Sequence, residues 1–290
     1  MKYIFIVNPT SGAGRAKIVA ENIEKICKRK NLDYVMHYTR FPHEATDFAR
    51  MYKQSKNIIY AVGGDGTLNE VVNGIVGTKN MLGLIPSGSG NDFYRIIKNK
   101  TEEIFKIDIG KLNDRYFINV AGIGIDAEVG YNAEYMKKKK IPSSQIYNAS
   151  IFYTFLKYKF KNIEYKMNGV KKSGTYTLIT ICNSKYYGGG YLIGPDALID
   201  DGMFDIYFAD KISKARIPFL IGKLKKGTHE TDPAIHKLMG KEITIKSDID
   251  IICGVDGEII VGNKFKVKLL KKEITFYNDS ELVSKFLDCK

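Results

Sequence analysis

The fold is decided by one stretch of sequence, Ile58-Ile59-Tyr60-Ala61-Val62-Gly63-Gly64-Asp65-Gly66-Thr67. A run of five apolar residues is followed by three glycines and one carboxylate, and then by an amphipathic segment. We interpret this order as a buried strand, a tight loop and a helix. Glycine tolerates positive φ angles and leaves backbone N–H groups uncovered, so the loop is predicted to hold a phosphate group, with Asp65 as its one carboxylate.

The beginning of the helix after this loop has a capping signal of its own. Thr67 and Glu70 have the spacing of a capping box, which predicts that each side chain binds a free backbone group at the start of the helix. A helix start with free N–H groups is also an anion site. An ordinary turn without a ligand remains the alternative for an isolated Gly-Gly-Asp-Gly sequence.

The rest of the first third repeats the alternation of strand and helix. Apolar runs predict four strands, at residues 2–7, 33–38, 58–62 and 81–85. Helical spacing of apolar residues predicts three helices, at residues 16–30, 43–52 and 68–76. This alternation is typical of a doubly wound α/β lobe with a parallel sheet. The loops after the first, third and fourth strands would then meet at the carboxyl edge of the sheet, where ligands bind in such folds.

The pattern changes from about residue 107. Short apolar runs separated by glycine and turn residues predict mainly β-structure, and Asn168-Gly169 is a strong signal for a two-residue hairpin. Residues 150–161 and 214–225 do not fit the strand pattern, and the second of these segments is compatible with a helix. We therefore expect a second lobe that is a β-sandwich.

Length and composition agree with a globular protein of two lobes. The chain has 290 residues, of which 44% are hydrophobic and 27% charged. The longest apolar runs are too short to span a bilayer, and the N-terminal run breaks at Asn8-Pro9, too early for a signal peptide. The cysteines are far apart, which argues against a zinc site or a disulfide framework and favours a cytoplasmic location.

The net charge of +13 favours anionic partners such as nucleic acid, an acidic lipid surface or a phosphorylated ligand. The densest cluster is Lys137-Lys138-Lys139-Lys140, which by itself fits a solvated face. Tyrosines alternate with lysines in residues 131–165, but tyrosine at strand positions more often packs a core than it stacks on bases. We predict no nucleic-acid partner.

Several motifs carry a more specific signal than the phosphate loop alone. Three of them, in this order and spacing, resemble the diacylglycerol kinase catalytic domain: Asn8-Pro9-x-Ser11-Gly12, Gly63-Gly64-Asp65-Gly66-Thr67-x-Asn69-Glu70 and Pro86-x-Gly88-Ser89-x-Asn91-Asp92-Phe93. Further motifs resemble the bacterial soluble lipid kinase branch of that family, at residues 119–127, 188–190, 195–197, 201–205 and 256–258. The resemblance covers nearly the entire chain.

The resemblance implies an N-terminal lobe like that of phosphofructokinase, made of residues 1–112 with residues 277–290 returning to it. It also implies a C-terminal β-sandwich lobe of residues 113–276 for the lipid substrate, with ATP in the cleft between the lobes. By motif position the ATP-binding residues would be Asn8, Pro9, Thr10, Ser11, Gly12, Thr39, Gly64, Asp65, Gly66, Thr67, Leu68, Asn69, Glu70 and Ser89. Most similar family members have threonine at the position of Ser89, and serine keeps the hydroxyl group.

A magnesium site is also implied by the resemblance, at Asp201 with the backbone carbonyls of Leu198 and Met203. Oxygen ligands of this kind suit Mg²⁺. From the residues alone the segment could equally be an Asp-Gly turn, so a structural and a catalytic role both stay open. A catalytic Mg²⁺ is expected at the ATP phosphates, near Asp65.

Glu258 resembles the proton acceptor of the family, and Asp126 is a second candidate that would orient the acceptor or the phosphate. Phosphoryl transfer depends mainly on positioning and charge neutralisation, so a carboxylate suffices to receive the alcohol proton. From the residues alone, both carboxylates would be read as polar groups in glycine-rich turns.

These observations predict an ATP- and Mg²⁺-dependent lipid kinase that phosphorylates a hydroxyl group of a diacylglycerol-like lipid. It would be cytoplasmic and would associate transiently with an anionic membrane surface, with residues 137–140 as a docking patch. The alternatives are an NAD kinase, against which residues 8–12 and 256–258 argue, and a non-catalytic basic binding module. The sequence leaves open the acceptor lipid and whether the protein forms a homodimer.

Overall fold

The computed structural model describes residues 1–137 and 143–289, and it describes no side chain for residues 137, 143–145, 147 and 148. The strands are β1 (Tyr3–Val7), β2 (Tyr34–Tyr38), β3 (Ile58–Gly63), β4 (Met81–Pro86), β5 (Ile104–Leu112), β6 (Arg115–Phe117), β7 (Val120–Gly124), β8 (Lys161–Met167), β9 (Val170–Cys182), β10 (Tyr186–Tyr187), β11 (Tyr191–Leu192), β12 (Phe204–Asp210), β13 (Ile235–Gly240), β14 (Glu242–Val255) and β15 (Glu258–Tyr277). The α-helices are α1 (Arg15–Arg29), α2 (Glu44–Arg50), α3 (Asp65–Ile75), α4 (Asp92–Ile97), α5 (Ile125–Lys137), α6 (Ser143–Lys157), α7 (Ile217–Lys226) and α8 (Ser280–Leu287).

The first lobe is a parallel sheet in the order β2-β1-β3-β4, with helices on both faces. Strands β1, β3 and β4 consist almost entirely of buried apolar residues, as expected for a sheet that is covered on both sides. One face packs against α1 and α8 around Phe5 and Tyr60, and the other against α2, α3 and α4 around Leu68 and Phe93. The prediction of a doubly wound α/β lobe is confirmed.

The predicted capping box at Thr67 and Glu70 is wrong. Helix α3 begins earlier, at Asp65, and the carbonyl of Gly64 accepts its first hydrogen bond, from the N–H of Leu68 at 3.1 Å. Thr67 is therefore already inside the helix. The carboxylate of Glu70 accepts a hydrogen bond from the N–H of Ala45 at 3.2 Å, so it binds the first turn of α2 rather than that of its own helix.

The second lobe is an antiparallel β-structure that closes on itself, in agreement with the expected sandwich. Strand β9 pairs with β8 over its first half and with β7 over its second. Strand β14 likewise pairs with β8 and then with β7, on either side of an irregularity between Lys246 and Ile251. The apolar residues on the inner faces, among them Phe117, Phe204 and Phe265, form one buried core.

The predicted hairpin at Asn168-Gly169 is confirmed. Met167 pairs with Val170, and the two turn residues adopt φ angles of 50° and 77°. Other expectations for this part of the chain were incomplete. Helices α5 and α6 lie where mainly β-structure was expected. Helix α7 confirms that residues 214–225, which were compatible with a helix, form one. None of the helices in residues 1–137 and 143–289 is long and apolar enough to cross a membrane.

Strand β15 connects the two lobes without interruption. Its first residues pair with β14 in the second lobe, whereas Thr275 and Phe276 pair in parallel with β4 of the first lobe. Helix α8 then packs against α1, where the side-chain amide of Asn22 donates hydrogen bonds to the carbonyls of Lys285, Phe286 and Asp288. The chain therefore returns to the first lobe within a single strand. The domain boundary at residue 276 stays a prediction.

Candidate functional site

Three loops meet at the carboxyl ends of β1, β3 and β4. The first loop contains Gly12, and a Cβ atom on this residue would lie 2.0 Å from the carbonyl oxygen of Ser87 in the third loop. A Cβ atom on Gly88 would lie 2.4 Å from the Cα atom of Gly64 in the second loop. The three segments therefore pack backbone against backbone, and the motifs that are far apart in sequence form one surface.

The glycines of the second loop are needed for close approach and not for positive φ angles, so this part of the prediction is corrected. Gly64 has an extended backbone with a φ angle of −99°. On Gly63 a Cβ atom would lie 2.4 Å from the hydroxyl oxygen of Thr67, which folds back over the glycine. On Gly66 a Cβ atom would meet no other atom within 4 Å, so the backbone of this residue is accessible to a ligand.

A cleft of about 210 Å³ lies beside these loops. Five of the predicted ATP-binding residues line it, namely Asn8, Thr10, Thr39, Thr67 and Glu70. The remaining lining residues belong to the segment that leads from β2 into α2, namely Arg40, Phe41, Pro42 and Ala45. The structure thus brings the first loop, the second loop and the start of α2 to one cavity.

The segment between β2 and α2 is held by an ion pair. The carboxylate of Glu44 accepts hydrogen bonds from the backbone N–H of Arg40 at 2.6 Å and from its guanidinium group at 2.9 Å. These hydrogen bonds lower the pKa of Glu44, whose side chain is only 7% exposed. The wall of the cleft is therefore held by an ion pair in which the carboxylate is shielded and the Arg40 side chain is exposed.

Two of the predicted ATP-binding residues have other side-chain partners. Leu68 is fully buried in the core of the first lobe, so its side chain faces no ligand. The amide of Asn69 donates hydrogen bonds to the carbonyl of Tyr116 and to the carboxylate of Asp256, both at 2.9 Å. Asn69 therefore joins the lobes, and only the backbone of these two residues remains for a nucleotide.

Asp65 binds the start of helix α4. Its two carboxylate oxygens accept hydrogen bonds from the N–H groups of Asp92 and Phe93, at 3.0 and 3.1 Å. Asp92 in turn accepts a hydrogen bond from the N–H of Gly189 in the second lobe at 2.7 Å, and burial raises its pKa. The second carboxylate oxygen of Asp92, Oδ1, is buried and receives no hydrogen bond, and Nε of Arg95 lies 3.5 Å from it. Asp65 and Asp92 thus connect the phosphate loop, the start of α4 and the second lobe.

Ser89 lies exposed at the tip of the third loop. The loop is closed by Asn91, whose side-chain oxygen accepts a hydrogen bond from the N–H of Gly88 at 3.1 Å and whose amide donates to the carbonyl of Gly88 at 2.8 Å. Asn91 has a φ angle of 52°, a conformation that asparagine tolerates better than most residues. The hydroxyl group of Ser89 is therefore presented on an ordered loop.

Asp256 is the main connection between the motifs of the second lobe. With Gly257 it forms the turn between β14 and β15, at φ angles of 46° and 90°. Its carboxylate accepts hydrogen bonds from the N–H groups of Ile118, Asn119 and Val120 at 2.7 to 3.0 Å and from Asn69 of the first lobe. Burial raises its pKa to about 6, although these donors act in the opposite direction.

Glu258 follows this turn as the first residue of β15, and its side chain is 30% exposed. One carboxylate oxygen, Oε2, accepts a hydrogen bond from the guanidinium group of Arg115 on β6. The other oxygen, Oε1, lies 3.7 Å from Nδ1 of His43, the residue that precedes α2. The candidate base is thus an ion-paired carboxylate beside the cleft wall and not a freely solvated one.

Asp126 lies in the first turn of α5, immediately after β7. Its carboxylate occupies the space above Gly122, where a Cβ atom would lie 2.7 Å from Oδ2. Burial raises the pKa of Asp126 to about 6, and its Oδ1 atom is buried without a hydrogen-bond partner. The structure shows no contact between Asp126 and Glu258 that would bring the two candidate carboxylates together.

The predicted metal site lies on the turn before β12. Asp201 is exposed, and its Oδ1 atom accepts a hydrogen bond from the N–H of Met203 at 2.9 Å. The buried carboxylate of Asp108 holds the same turn through the N–H of Gly202 at 2.6 Å. One carboxylate and the carbonyls of Leu198 and Met203 are a chemically suitable set for Mg²⁺. Residues 1–137 and 143–289 contain no cluster of three or more histidine, cysteine or acidic side chains that could hold a metal ion.

Sequence reasoning missed Arg115, His43 and the connecting role of Asp256. Arg115 is separated from Glu258 by 143 residues, and nothing in the pattern of either segment indicates that they meet. Asp256 was part of a recognised motif, but three of its four donors are backbone N–H groups, which carry no signal in the sequence. The run Lys137-Lys138-Lys139-Lys140 lies outside the described residues, apart from the backbone of Lys137.

Comparison with known families agrees with this two-lobed architecture. Residues 2–114 match the model of the diacylglycerol kinase catalytic domain, and residues 119–275 match that of the YegS C-terminal NAD kinase beta sandwich-like domain. A two-lobed kinase is the class of protein that this fold and site define. The chain belongs to the diacylglycerol kinase family, which is a family of lipid kinases.

Curated relatives support the same membership. The chain is 31% identical over 267 residues to a diacylglycerol kinase of Staphylococcus saprophyticus, with 87% of each chain covered. It is 32% identical over 284 residues to a diacylglycerol kinase of Staphylococcus epidermidis, which covers 92% of this chain and 88% of the relative.

The fold is also known from crystal structures. A Bacillus anthracis protein provisionally named a diacylglycerol kinase superimposes with a TM-score of 0.76 at 24% identity, over 96% of both chains. A second Bacillus anthracis structure, of a diacylglycerol kinase, has a TM-score of 0.69 at 20% identity and covers 96% of this chain and 97% of the other. At these identities the likeness concerns the fold alone.

Proposed function

We propose that this protein transfers the γ-phosphoryl group of ATP to the hydroxyl group of a diacylglycerol-like lipid, with Mg²⁺ as cofactor. The observation that carries the proposal is the position of Glu258. Its Oε1 atom lies 3.7 Å from His43, at the start of the helix whose preceding residues line the cleft. A carboxylate that could receive a proton therefore lies next to the cavity formed by the predicted ATP-binding loops.

The loops supply the binding surface for the triphosphate in this proposal. Gly12, Gly64 and Gly88 allow the three backbones to pack closely, and Gly66 leaves its backbone uncovered. The N–H groups at the start of α3 point toward the same edge of the sheet, and such groups favour anions. Ser11, Thr39, Thr67 and Ser89 would add hydroxyl donors.

Carboxylate oxygens of Asp65 and Asp92 would hold a magnesium ion near the phosphates, because Mg²⁺ prefers such ligands and Oδ1 of Asp92 receives no hydrogen bond, although Nε of Arg95 forms an ion pair with it at 3.5 Å. The ion, when bound, would neutralise phosphate charge. A second, structural ion would be held by Asp201 with the carbonyls of Leu198 and Met203. Asp126 would orient the acceptor alcohol or a phosphate oxygen by hydrogen bonding.

In the reaction, the lipid oxygen forms a bond to the γ-phosphorus while the bond from that phosphorus to the β–γ bridging oxygen breaks, and ADP leaves. The proton of the lipid hydroxyl group passes to Glu258. Because the transition state of phosphoryl transfer is loose, the proton moves late, and the main task of the protein is to hold donor and acceptor in line.

A membrane surface is the proposed source of the acceptor. Helix α5 packs against the residue that follows the candidate base, since a Cβ atom on Gly130 would lie 3.3 Å from the side chain of Ile259. Its partner α6 exposes Phe152 and Leu156, at 66% and 57%, which are four residues apart and so lie on one face. Exposed lysines follow at positions 157 and 159. Apolar side chains flanked by cations suit the surface of an anionic bilayer.

The proposed function is tested by incubating the protein with labelled ATP, Mg²⁺ and a whole-lipid extract, and identifying the labelled product by mass. A phosphorylated diacylglycerol is the expected product. NAD is offered as acceptor in parallel, and labelling of NAD in place of lipid would contradict the proposal.

Glu258→Gln tests the assignment of the base. We expect turnover to fall about 10²- to 10⁴-fold, the range typical of a lost general base, while ATP still binds. Glu164→Gln is the matched control, because Glu164 also forms an ion pair, with Lys171 at 2.7 Å, but belongs to the β8–β9 hairpin. Full turnover of the Glu258→Gln variant would rule out Glu258 as the base.

A further inference from the structure

Arg115 is the strongest contact of the candidate base. Its guanidinium group donates to Oε2 of Glu258, and both side chains are 30% exposed, so the pair is partly shielded from water. The one other ion-pair partner that the structure gives Glu258 within the described residues is His43, on the side of Oε1. The two oxygens of Glu258 therefore have different environments.

The position of Arg115 is itself set by helix α3. The backbone N–H of the next residue, Tyr116, donates a hydrogen bond to the side-chain oxygen of Asn73 at 3.0 Å. The carbonyl of Tyr116 accepts hydrogen bonds from the side-chain amides of Asn73 and Asn69, both at 2.9 Å. Asn69 also binds Asp256, two residues before Glu258. Both Arg115 and Glu258 are thus tied to the helix that begins at the phosphate loop.

We propose that Arg115 is a positioning residue that holds Oε2 of Glu258 and leaves Oε1 as the oxygen that receives the proton. This inference rests on the proposed function, in which Glu258 is the base. Because Arg115 occupies Oε2, the free oxygen is directed toward the start of α2 and the cleft. Helix α3 then serves as a common support for the phosphate loop and for the base.

Arg115→Met removes the charge and keeps a side chain of similar length. We expect its kcat to fall about 100-fold, as for a misplaced catalytic group, with the KM for ATP unchanged. Arg115→Lys keeps the charge but loses the planar fork of donors, so it should recover part of kcat, again with the KM for ATP unchanged.

The matched control is Arg216→Met. Arg216 also binds a carboxylate, that of Asp232 at 2.9 Å, but it lies next to α7 in the second lobe. Its loss should leave kcat and the KM for ATP unchanged. Wild-type kcat in Arg115→Met, together with an inactive Glu258→Gln, would overturn the inference. An equal loss of kcat in Arg115→Met and Arg115→Lys, or a raised KM for ATP, would indicate a merely structural role and would also overturn it.

A measurement without turnover separates this inference from the proposed function. The side-chain N–H signals of Arg115 can be followed by ¹⁵N NMR in the full-length protein, with Arg115→Met identifying them. Because this guanidinium group donates to Glu258, its signals should shift in Glu258→Gln and stay in place in the control Glu164→Gln. If the wild type phosphorylates no lipid but these signals shift in Glu258→Gln, the proposed function fails and the contact of Arg115 with Glu258 stands. Unmoved signals in Glu258→Gln contradict the inference.

Discussion

Gly12 illustrates how a single residue keeps the phosphate-binding edge together. Its backbone has a φ angle of 60°, and a Cβ atom there would lie 2.0 Å from the carbonyl oxygen of Ser87. Ser87 is fully buried, so the third loop cannot move away easily. A side chain at position 12 would therefore separate the first loop from the third.

Gly12→Ala should destabilise the protein, and Gly14→Ala is its matched control. Gly14 also has a positive φ angle, of 93°, but open space where its Cβ atom would lie. Both variants lose about 1–2 kcal/mol from the left-handed backbone conformation. We expect Gly12→Ala to lose about 1–3 kcal/mol more, because of the clash. Urea unfolding of both variants measures the difference, and equal losses would contradict the packing argument.

At the scale of elements, helix α3 connects the two halves of the candidate site. Its first residues follow the glycine loop, and Asn69 and Asn73 on its next turns hold Tyr116 and Asp256 of the second lobe. Side chains four residues apart lie on the same face of a helix, so one face of α3 serves both contacts. The distance between the phosphate loop and Glu258 is thus set by a rigid element and not by a flexible linker.

The pair α5 and α6 is the element proposed to contact the membrane. Replacing Phe152 and Leu156 by serine should weaken binding to vesicles of anionic lipid and diacylglycerol by at least about tenfold, because two apolar side chains no longer enter the bilayer. Turnover on detergent-dispersed lipid should change little. Ile249→Ser is the control, since Ile249 on β14 is as exposed as Leu156, at 57%. Equal vesicle binding of wild type and double variant would exclude this surface.

At the scale of the whole molecule, the lobes are joined by a continuous strand and by two carboxylates. Strand β15 runs through both lobes, and Asp92 and Asp256 accept hydrogen bonds from the lobe opposite their own. Burial raises the pKa of Asp256, like that of Asp126, to about 6. Ionisation of these groups in the folded state is therefore unfavourable, and the stability of the molecule depends on pH.

The sign of this dependence follows from the raised pKa of Asp256. A carboxyl group with a folded pKa of about 6 and a reference value of 3.8 contributes its full stabilisation below pH 3.8 and loses it as the pH rises through 6. Between pH 5 and 7.5 the loss is about 1.4 kcal/mol for such a group. The lowered pKa of Glu44 has the opposite effect on the free energy of unfolding, because its stabilisation is lost as the pH falls. This loss occurs only below that pH range.

Asp256→Asn tests this dependence. Burial lowers the pKa of His37 and of His229, which opposes the effect of Asp256 in the wild type, so the difference between wild type and variant is the informative quantity. The free energy of unfolding in urea should change with pH by about 1.4 kcal/mol less in the variant than in the wild type, between pH 5 and 7.5. Asp33→Asn, at an exposed position, is the control. Parallel pH curves for wild type and Asp256→Asn would contradict the prediction.

The sequence by itself determined the α/β lobe, the order of its strands and loops, the hairpin at Asn168-Gly169 and the family. These features depend on local periodicity and on turn chemistry, which a linear pattern records. Helices α5 and α6 were not predicted, because their apolar residues do not follow one clear helical stripe. The predicted capping box was wrong because the carboxylate of Glu70 binds the N–H of Ala45 on another helix.

Only the tertiary structure decided which groups meet across the lobes. Arg115 pairs with Glu258, Asp256 accepts hydrogen bonds from four donors, and helix α3 holds both segments through Asn69 and Asn73. These contacts join residues more than 40 positions apart in the sequence. Such contacts depend on how strands of the second lobe pair and on where β15 re-enters the first lobe. No local pattern encodes them, because the free energy that selects them comes from burial of the whole core.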